Sequence, residues 1–453
     1  MLSPRNNRLN VTTMVSGVPI GGNAPVIIQS MTNTDTMDVP ATVAQCKRIA
    51  DEGAMLVRIA VPTMREVEAM KLIKQELRTA GYTIPLIADV HFNPQVAVAM
   101  AAVADKVRIN PGNYSDNRTG SNTEWTEAEY RQSLTQMAAK AQPLFEACRQ
   151  HGTAIRIGVN HGSLSGRIVN RYGNGAQAMA MSAMEWLEVC RQADFHQVVL
   201  SMKTSNVLTM IEATMLLYEM MTEKQRIYPL HIGVTEAGNG LEGRAKSAAG
   251  IGALLLSGIG DTVRVSLTEA PENEVIFAKL LLEEIAQIEH CHYTFADGVL
   301  CYTEPKSDKI RLLAQAAALC GYLHYHHKIK ELEIENSYFS VAENRELSDT
   351  ILQACRIKMS KTEFISCPSC GRTQYNIAEV LKQIKAQFDG YPNLKIGVMG
   401  CIVNGLGEMA DADFGIVGGS QGRVAVFRGK ERVSGFVSVG EALELLRTII
   451  EKK

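Results

Sequence analysis

Residues 106–111 read Lys-Val-Arg-Ile-Asn-Pro, and an Arg flanked by β-branched residues recurs as Val57-Arg58-Ile59, Ile155-Arg156-Ile157 and Val263-Arg264-Val265. Side chains alternate faces along an extended chain, so each tripeptide turns its aliphatic pair one way and its Arg the other. Working outward from these four, short apolar runs occur at Ile27–Thr32, Leu56–Val61, Pro85–Val90, Lys106–Pro111, Ala154–Asn160, Gln197–Ser205, Pro229–Ala237 and Asp261–Leu267. Longer segments of helical period separate them. Asp38-Val39-Pro40 puts a proline in the first turn of one helix, and Thr63-Met64-Arg65-Glu66 has the pattern of a capping box opening the next. Alternating strand and helix patterns mark βα units on a parallel sheet, whose strands are apolar because both faces are covered. Eight such units predict an α/β fold with an N-terminal TIM (β/α)8 barrel over residues 1–288. An open doubly wound sheet is the alternative, but its Gly-rich phosphate turn after the first strand is missing.

The chain has 453 residues, more than one barrel needs. Its 46% apolar and 21% charged residues exclude a disordered chain, and no apolar run approaches the ~18 residues of a membrane span. Met1–Arg8 leads into polar chain rather than a signal peptide. Ten scattered cysteines are too sparse for a disulfide scaffold and suit a reducing compartment, so a cytoplasmic protein is expected. The formal net charge of -2 argues against a nucleic-acid binder, so an anionic partner must meet a local cationic site.

Asn113–Thr126 is a polar loop inserted where a barrel varies its C-terminal face. Residues 289–360 break the pattern. Their His and Cys clusters, His290-Cys291-His292 and His324-Tyr325-His326-His327, lack a zinc-finger spacing, and the segment reads as a small connecting insert with surface histidines. Residues 361–453 form a further α/β unit: Cys367-Pro-Ser-Cys370, a helix near Asn376–Asp389, a strand at Leu394–Met399, a Gly-rich turn with Cys401, a hairpin-like segment at Gly422–Phe436 and a last helix from Gly440.

Arginine cannot sit unpaired against the helix layer, because burying a charge costs several kcal/mol. Arg58, Arg108, Arg156 and Arg264 are therefore expected to point into the barrel, joined by Lys203 near the end of the sixth run. Polar groups follow on the same strand ends: Asp89, His91, Asn110, Asn160, Thr235, Glu236 and Ser266. For any one Arg, an ion pair with Asp89 or Glu236 is the plainer reading. Five cations converging on one mouth in a nearly neutral chain predict a site for a small molecule bearing at least two phosphate charges, since guanidinium forks match phosphate oxygens.

Cys367, Cys370 and Cys401 offer three thiolates from two turns, and Gly400, Gly405 and Gly407 let backbone come close. An iron–sulfur cluster, a zinc ion and a redox dithiol are all compatible with three thiols. The nearest fourth ligand is an oxygen donor, Glu408, which suits a cluster with one weakly held iron better than structural zinc. The C-x3-C-x2-C spacing of a radical-SAM enzyme does not occur.

Taken in order, Ile28-Gln-Ser-Met-Thr-Asn, Ala88-Asp-Val-His-Phe, Val107-Arg-Ile-Asn-Pro-Gly, Ile155-Arg-Ile-Gly-Val-Asn, Ser201-Met-Lys, Gly233-Val-Thr-Glu-Ala-Gly, Gly260-Asp-Thr-Val-Arg-Val-Ser, Cys367-Pro-Ser-Cys and Gly400-Cys-Ile-Val-Asn-Gly resemble the 4-hydroxy-3-methylbut-2-en-1-yl diphosphate synthase family of non-mevalonate isoprenoid biosynthesis. The resemblance covers residues 1–288 and 361–453. It implies a [4Fe-4S] cluster on Cys367, Cys370, Cys401 and Glu408. It also implies a cyclic diphosphate substrate held by Arg58, Asp89, His91, Arg108, Asn110, Arg156, Asn160, Lys203, Arg264 and Ser266, and Glu236 as proton donor. Ferredoxin or flavodoxin would supply electrons. The family's cluster domain caps the barrel of the other subunit, so a homodimer is expected.

Two departures stand out. Leu406 replaces the family's usual Pro in Asn-Gly-Pro-Gly-Glu, which is expected to loosen the turn carrying Glu408. About 70 residues occupy the place where the long form of the family carries a large extra domain and the short form almost nothing. Two other readings compete: a zinc-dependent barrel hydrolase using Asp89, His91 and Glu236, and a non-catalytic iron–sulfur redox sensor.

Overall fold

The structure is a computed structural model describing residues 10–114, 125–420 and 422–452. The N-terminal residues 1–9 and the centre of the polar loop, 115–124, lie outside the described residues. All eight apolar runs are strands on one sheet. In chain order the barrel strands are Ile27–Met31, Leu56–Ala60, Leu86–Asp89, Lys106–Ile109, Ala154–Asn160, Val198–Lys203, His231–Ile232 and Thr262–Val263. Each pairs in parallel with its sequence neighbour from the first through the sixth. The eighth lies between the first and the seventh, and a parallel bridge from Leu200 to Leu230 joins the sixth to the seventh. The sequence is a ring, the barrel expected from eight βα units.

The start signals act as read. Asp38 caps the helix Val39–Asp51, and Thr63 and Glu66 form the reciprocal capping box of Met64–Thr79. Inside the barrel the lowest layer is apolar. Ile27, Leu56, Ile87, Ala154 and Val199 pack with Val15 and Ile20 of a short N-terminal hairpin that plugs the barrel from below.

The insert is more than a connector. Tyr293–Ala296 and Val299–Tyr302 form a hairpin over Asp297-Gly298, both at positive φ. Glu331–Ile334 adds a parallel third strand. Its helix Lys309–His327 packs on the barrel helix Gly240–Leu256 through small residues: a Cβ on Gly252 would lie 2.3 Å from Ala318 Cβ, and one on Gly321 would lie 2.4 Å from Ala249 O. The insert's core is therefore continuous with the barrel's. His290 and His292 are exposed, as expected, whereas His324 is half-buried.

The last unit is a sheet in which Glu363–Ser366, Lys395–Met399 and Phe414–Ser420 run parallel and Arg423–Arg428 antiparallel. The helices Ile377–Phe388 and Val439–Glu451 accompany it. One expectation is corrected. Gly400–Glu408 is not a turn: Cys401 is the N-cap of a short helix, Ile402–Glu408. Its glycines serve close packing rather than a turn. A Cβ on Gly405 would lie 2.8 Å from Val417 Cγ1, and one on Gly407 would lie 2.0 Å from Gly162 O. The helix runs through Leu406, which is exposed, to a buried Glu408.

Candidate active site between barrel and C-terminal domain

Strand alternation delivers the arginines. Asp89, Arg108 and Arg156 stand side by side across three strands, facing the barrel axis. Together with Arg58, His91, Asn160, Lys203, Arg264 and Ser266 they line a cavity of about 60 Å³. Ser201, His231 and Thr235 complete the wall. Of the expected mouth residues, Asn110 is not among those lining the cavity: it is buried, and its Oδ1 accepts from Gly112 N at 3.2 Å.

The charges do not cancel. Asp89 receives Arg108 Nη1 at 3.2 Å, Arg372 Nη1 at 2.9 Å and Arg58 Nη1 at 4.0 Å. Burial alone would raise its pKa, but Arg58, His91, Arg108 and Arg372 hold it well below the usual carboxylate range. Burial, then Arg108, pushes His91 down to about 3, so this ring is neutral and faces the Arg108 guanidinium. Arg264 is forked onto Glu274 at 2.9 and 3.0 Å, a partner on the following helix rather than Asp89 or Glu236. Lys203 donates to Gly233 O at 2.8 Å. Arg156 is fully buried, and its Nε and Nη1 have no hydrogen-bond partner among the described residues. A buried guanidinium without acceptors implies an anion. The set does not suit a barrel zinc site, because a cation at Asp89 and His91 would have to displace two guanidiniums.

The C-terminal domain covers this mouth. Ser366 N donates to Glu236 O at 3.3 Å, and Ala237 bridges to Ser366. Thr268 Oγ1 reaches Ser366 Oγ at 3.0 Å. Gly162 and Gly407 cross backbone on backbone, a Cβ on Gly162 falling 2.2 Å from Gly407 C. These contacts lie within one chain.

Under that cap the remaining expected residues meet. Cys367 follows strand Glu363–Ser366, its N–H held by Val398 O, and Cys370 N–H donates to Thr373 Oγ1 at 3.0 Å. Burial, then the neighbouring Cys370, Glu236 and Cys401, raises the Cys367 thiol well above its ordinary value, which places three sulfurs and a carboxyl in one neighbourhood. Burial pushes Glu236 up to about 7, against Thr235, Arg264 and Lys203. Glu236 has a positive φ of 49°, strain of the kind concentrated at functional sites. Glu408 is raised well above the ordinary carboxyl value by burial and then by Glu236, while Asn160 hydrogen-bonds it. Glu236 Oε2 and Glu408 Oε1 are buried without hydrogen-bond partners among the described residues. Asn160 also accepts from Arg108 Nη2 at 2.6 Å, so it joins the cationic mouth to the cysteine side.

Sequence reasoning missed Arg372 and Glu274. Arg372 stands two residues after Cys370, a cation on a thiolate loop, and Glu274 opens the helix after the eighth strand. Each signal was visible, but its partner lay in another segment.

The comparisons agree with this architecture. Residues 10–279 match the GcpE TIM-barrel domain and residues 363–452 the GcpE protein C-terminal domain. The chain is 35% identical to a 4-hydroxy-3-methylbut-2-en-1-yl diphosphate synthase (flavodoxin) of Phocaeicola vulgatus, covering 96% of each chain. It is 38% identical to the corresponding (ferredoxin) protein of Synechococcus sp., covering 94% of this chain and 90% of that one. The Phocaeicola alignment spans 591 positions against 453 residues, so at least 138 positions of that relative have no counterpart here. With both domains matched and relatives covered almost end to end, this chain belongs to the 4-hydroxy-3-methylbut-2-en-1-yl diphosphate synthase family.

Proposed function

We propose that this chain opens the ring of 2-C-methyl-D-erythritol 2,4-cyclodiphosphate reductively, taking up two electrons and releasing water, to give 4-hydroxy-3-methylbut-2-enyl diphosphate. The observation that carries the reading is Asn160, bonded on one side to Arg108 of the cationic mouth and on the other to Glu408. It puts an anion-binding pocket and a three-thiol centre in direct register. Residues 1–288 bind substrate, 289–360 connect, and 361–453 carry the redox centre.

Cys367, Cys370, Cys401 and Glu408 would hold a [4Fe-4S] cluster. Three gathered thiols beside a carboxyl oxygen without a partner make a donor set of three soft ligands and one hard one. When bound, the cluster supplies one-electron reduction and a Lewis-acidic iron. Arg58, Arg108, Arg156 and Lys203 orient the diphosphate, and Asp89 fixes Arg58 and Arg108 for that task. Arg264, held by Glu274, and Ser266 close the far wall, while His91, Asn110 and Asn160 set the edge of the pocket. Glu236, with a pKa near neutrality, keeps a proton at the gap and delivers it to the departing oxygen.

Ferredoxin or flavodoxin, the donors in the relatives' names, would bring the electrons. No helix among the described residues is long and apolar enough to cross a membrane, in keeping with a cytoplasmic enzyme. Because one chain closes its own site, the catalytic unit we propose is a single chain. A homodimer would pair elsewhere than across the mouth.

Anaerobic reconstitution tests the assignment. Cys401→Ala is expected to lose iron–sulfur absorbance and turnover together. Arg108→Ala keeps the absorbance but needs at least ~10-fold more substrate, the scale of one lost charge-assisted contact. Normal turnover by Arg108→Ala would remove the clamp.

A further inference from the structure

Next to the arginine layer the barrel buries two polar side chains, Lys106 and Gln29, that the substrate cavity does not use. Lys106 lies two residues before Arg108 on the same inward face, opposite Ile87 and Ala154. It is 0% exposed, and its Nζ has no hydrogen-bond partner among the described residues. Gln29, on the first barrel strand, is 1% exposed with neither amide atom satisfied. Arg156 Nε and Nη1, His231 Nε2 and Ser201 Oγ are likewise buried and unpartnered.

Buried polar atoms are nearly always partnered, so the Lys106 amine and both atoms of the Gln29 amide, which the substrate cavity does not account for, call for a ligand. Their chemistry restricts it. Lys106, Arg156 and the Gln29 amide nitrogen are donors only, while Gln29 Oε1, Ser201 Oγ and one imidazole nitrogen are the acceptors. Donors and positive charge are in excess, which favours an anion over water. Around Lys106 the layer of Ile27, Leu56, Ile87, Ala154 and Val199 is apolar and its side chains offer no acceptor. Above, Arg156, Ser201 and His231 also line the mouth cavity, so entry is from that side.

We propose that this floor is an anion site of its own, taking a small monovalent inorganic anion of the halide class between Lys106, Arg156 and Gln29, with His231 and Ser201 at its upper edge. The site rests on the orphaned groups and not on what occupies the mouth. Burial, followed by the cations around them, pushes both Lys106 and His231 well below their ordinary pKa values, a penalty that an anion among them would relieve.

Crystals of the cluster-loaded full chain, grown without halide and soaked in sodium bromide, test this by anomalous scattering at the bromine edge. A bromine peak beneath Arg156, bounded by Lys106 and Gln29, is expected in the wild type and absent in Lys106→Met. In solution, sodium bromide should raise the melting temperature of the wild type by roughly 2–4 °C over sodium gluconate at equal ionic strength. Lys106→Met, and Gln29→Met as a second variant, should lose most of that difference. No peak, a peak retained in Lys106→Met, or equal melting in both salts would overturn the site. Displacement of the bromide by the cyclic diphosphate would overturn it too, by making the floor the inner end of the substrate pocket.

Discussion

Asp89 is the anion on which Arg58, Arg108 and Arg372 converge. Removing one partner of a buried ion network leaves the others uncompensated, which costs about 3–5 kcal/mol. Asp89→Asn should therefore lower the unfolding free energy read from urea melts by that much while leaving the sulfur ligands untouched. His91 offers a pH signature. Its folded pKa is about 3 and its unfolded value about 6.5. Above pH 6.5 the ring is neutral in both states; below it the unfolded chain takes a proton that the folded chain refuses. The stability of the wild type relative to His91→Asn should thus fall by about 1.4 kcal/mol per pH unit from 6.5 toward 3. Denaturant midpoints of the two proteins across that range would show a flat difference if the ring is charged when folded. At this scale the inward arginines were legible, because alternation within one strand decides where each points. Arg372 and Glu274 were not, because what gives them meaning is a residue far off in the chain: Arg372 meets Asp89, and Glu274 also accepts from Ser30 Oγ at 2.8 Å.

Two glycine contacts between elements govern how the parts approach. At the crossing of the turn at Gly162 with helix Ile402–Glu408, a methyl on Gly407 has nowhere to go, since it would lie 2.0 Å from a carbonyl oxygen. Gly407→Ala should bind iron and sulfide as the wild type does, because the cysteines precede it. Turnover should drop by about 10²-fold as Glu408 and the mouth separate by an ångström or so. Unchanged turnover in a steady-state assay would mean that the crossing bears no function. Where the insert helix Lys309–His327 meets Gly240–Leu256, Gly321→Val should destabilise by about 1–3 kcal/mol through overpacking, read as a lower melting temperature. The helices and strands themselves were readable from period and caps. The helix Ile402–Glu408 was not, since three glycines in nine residues weigh toward a turn, and the tertiary contacts that require them overrule that preference.

For the molecule as a whole, the question is which barrel each C-terminal domain serves. Buried and half-buried ion pairs tie it to its own, Lys246 to Glu363 at 2.7 Å and Lys385 and Lys361 to Glu242 at 2.7 and 2.8 Å, and Ser205 Oγ donates to Asp411 Oδ2 at 2.9 Å. Mixing two impaired variants, Arg108→Ala and Cys401→Ala, should therefore give no more turnover at low substrate than Arg108→Ala alone. Recovery of turnover on mixing and re-equilibration would show that chains exchange caps. None of these ties could be foreseen from local pattern, as each joins segments more than a hundred residues apart. The insert carries a last consequence. It is moored at its entrance by Glu284 to Lys306 at 2.7 Å, and at its exit by Arg356 to Glu363 at 2.9 Å. With both moorings fixed, the chain between them is free to lengthen or shorten over evolution without altering the gap where chemistry occurs, so relatives with well over a hundred additional residues and this compact chain can share one reaction geometry.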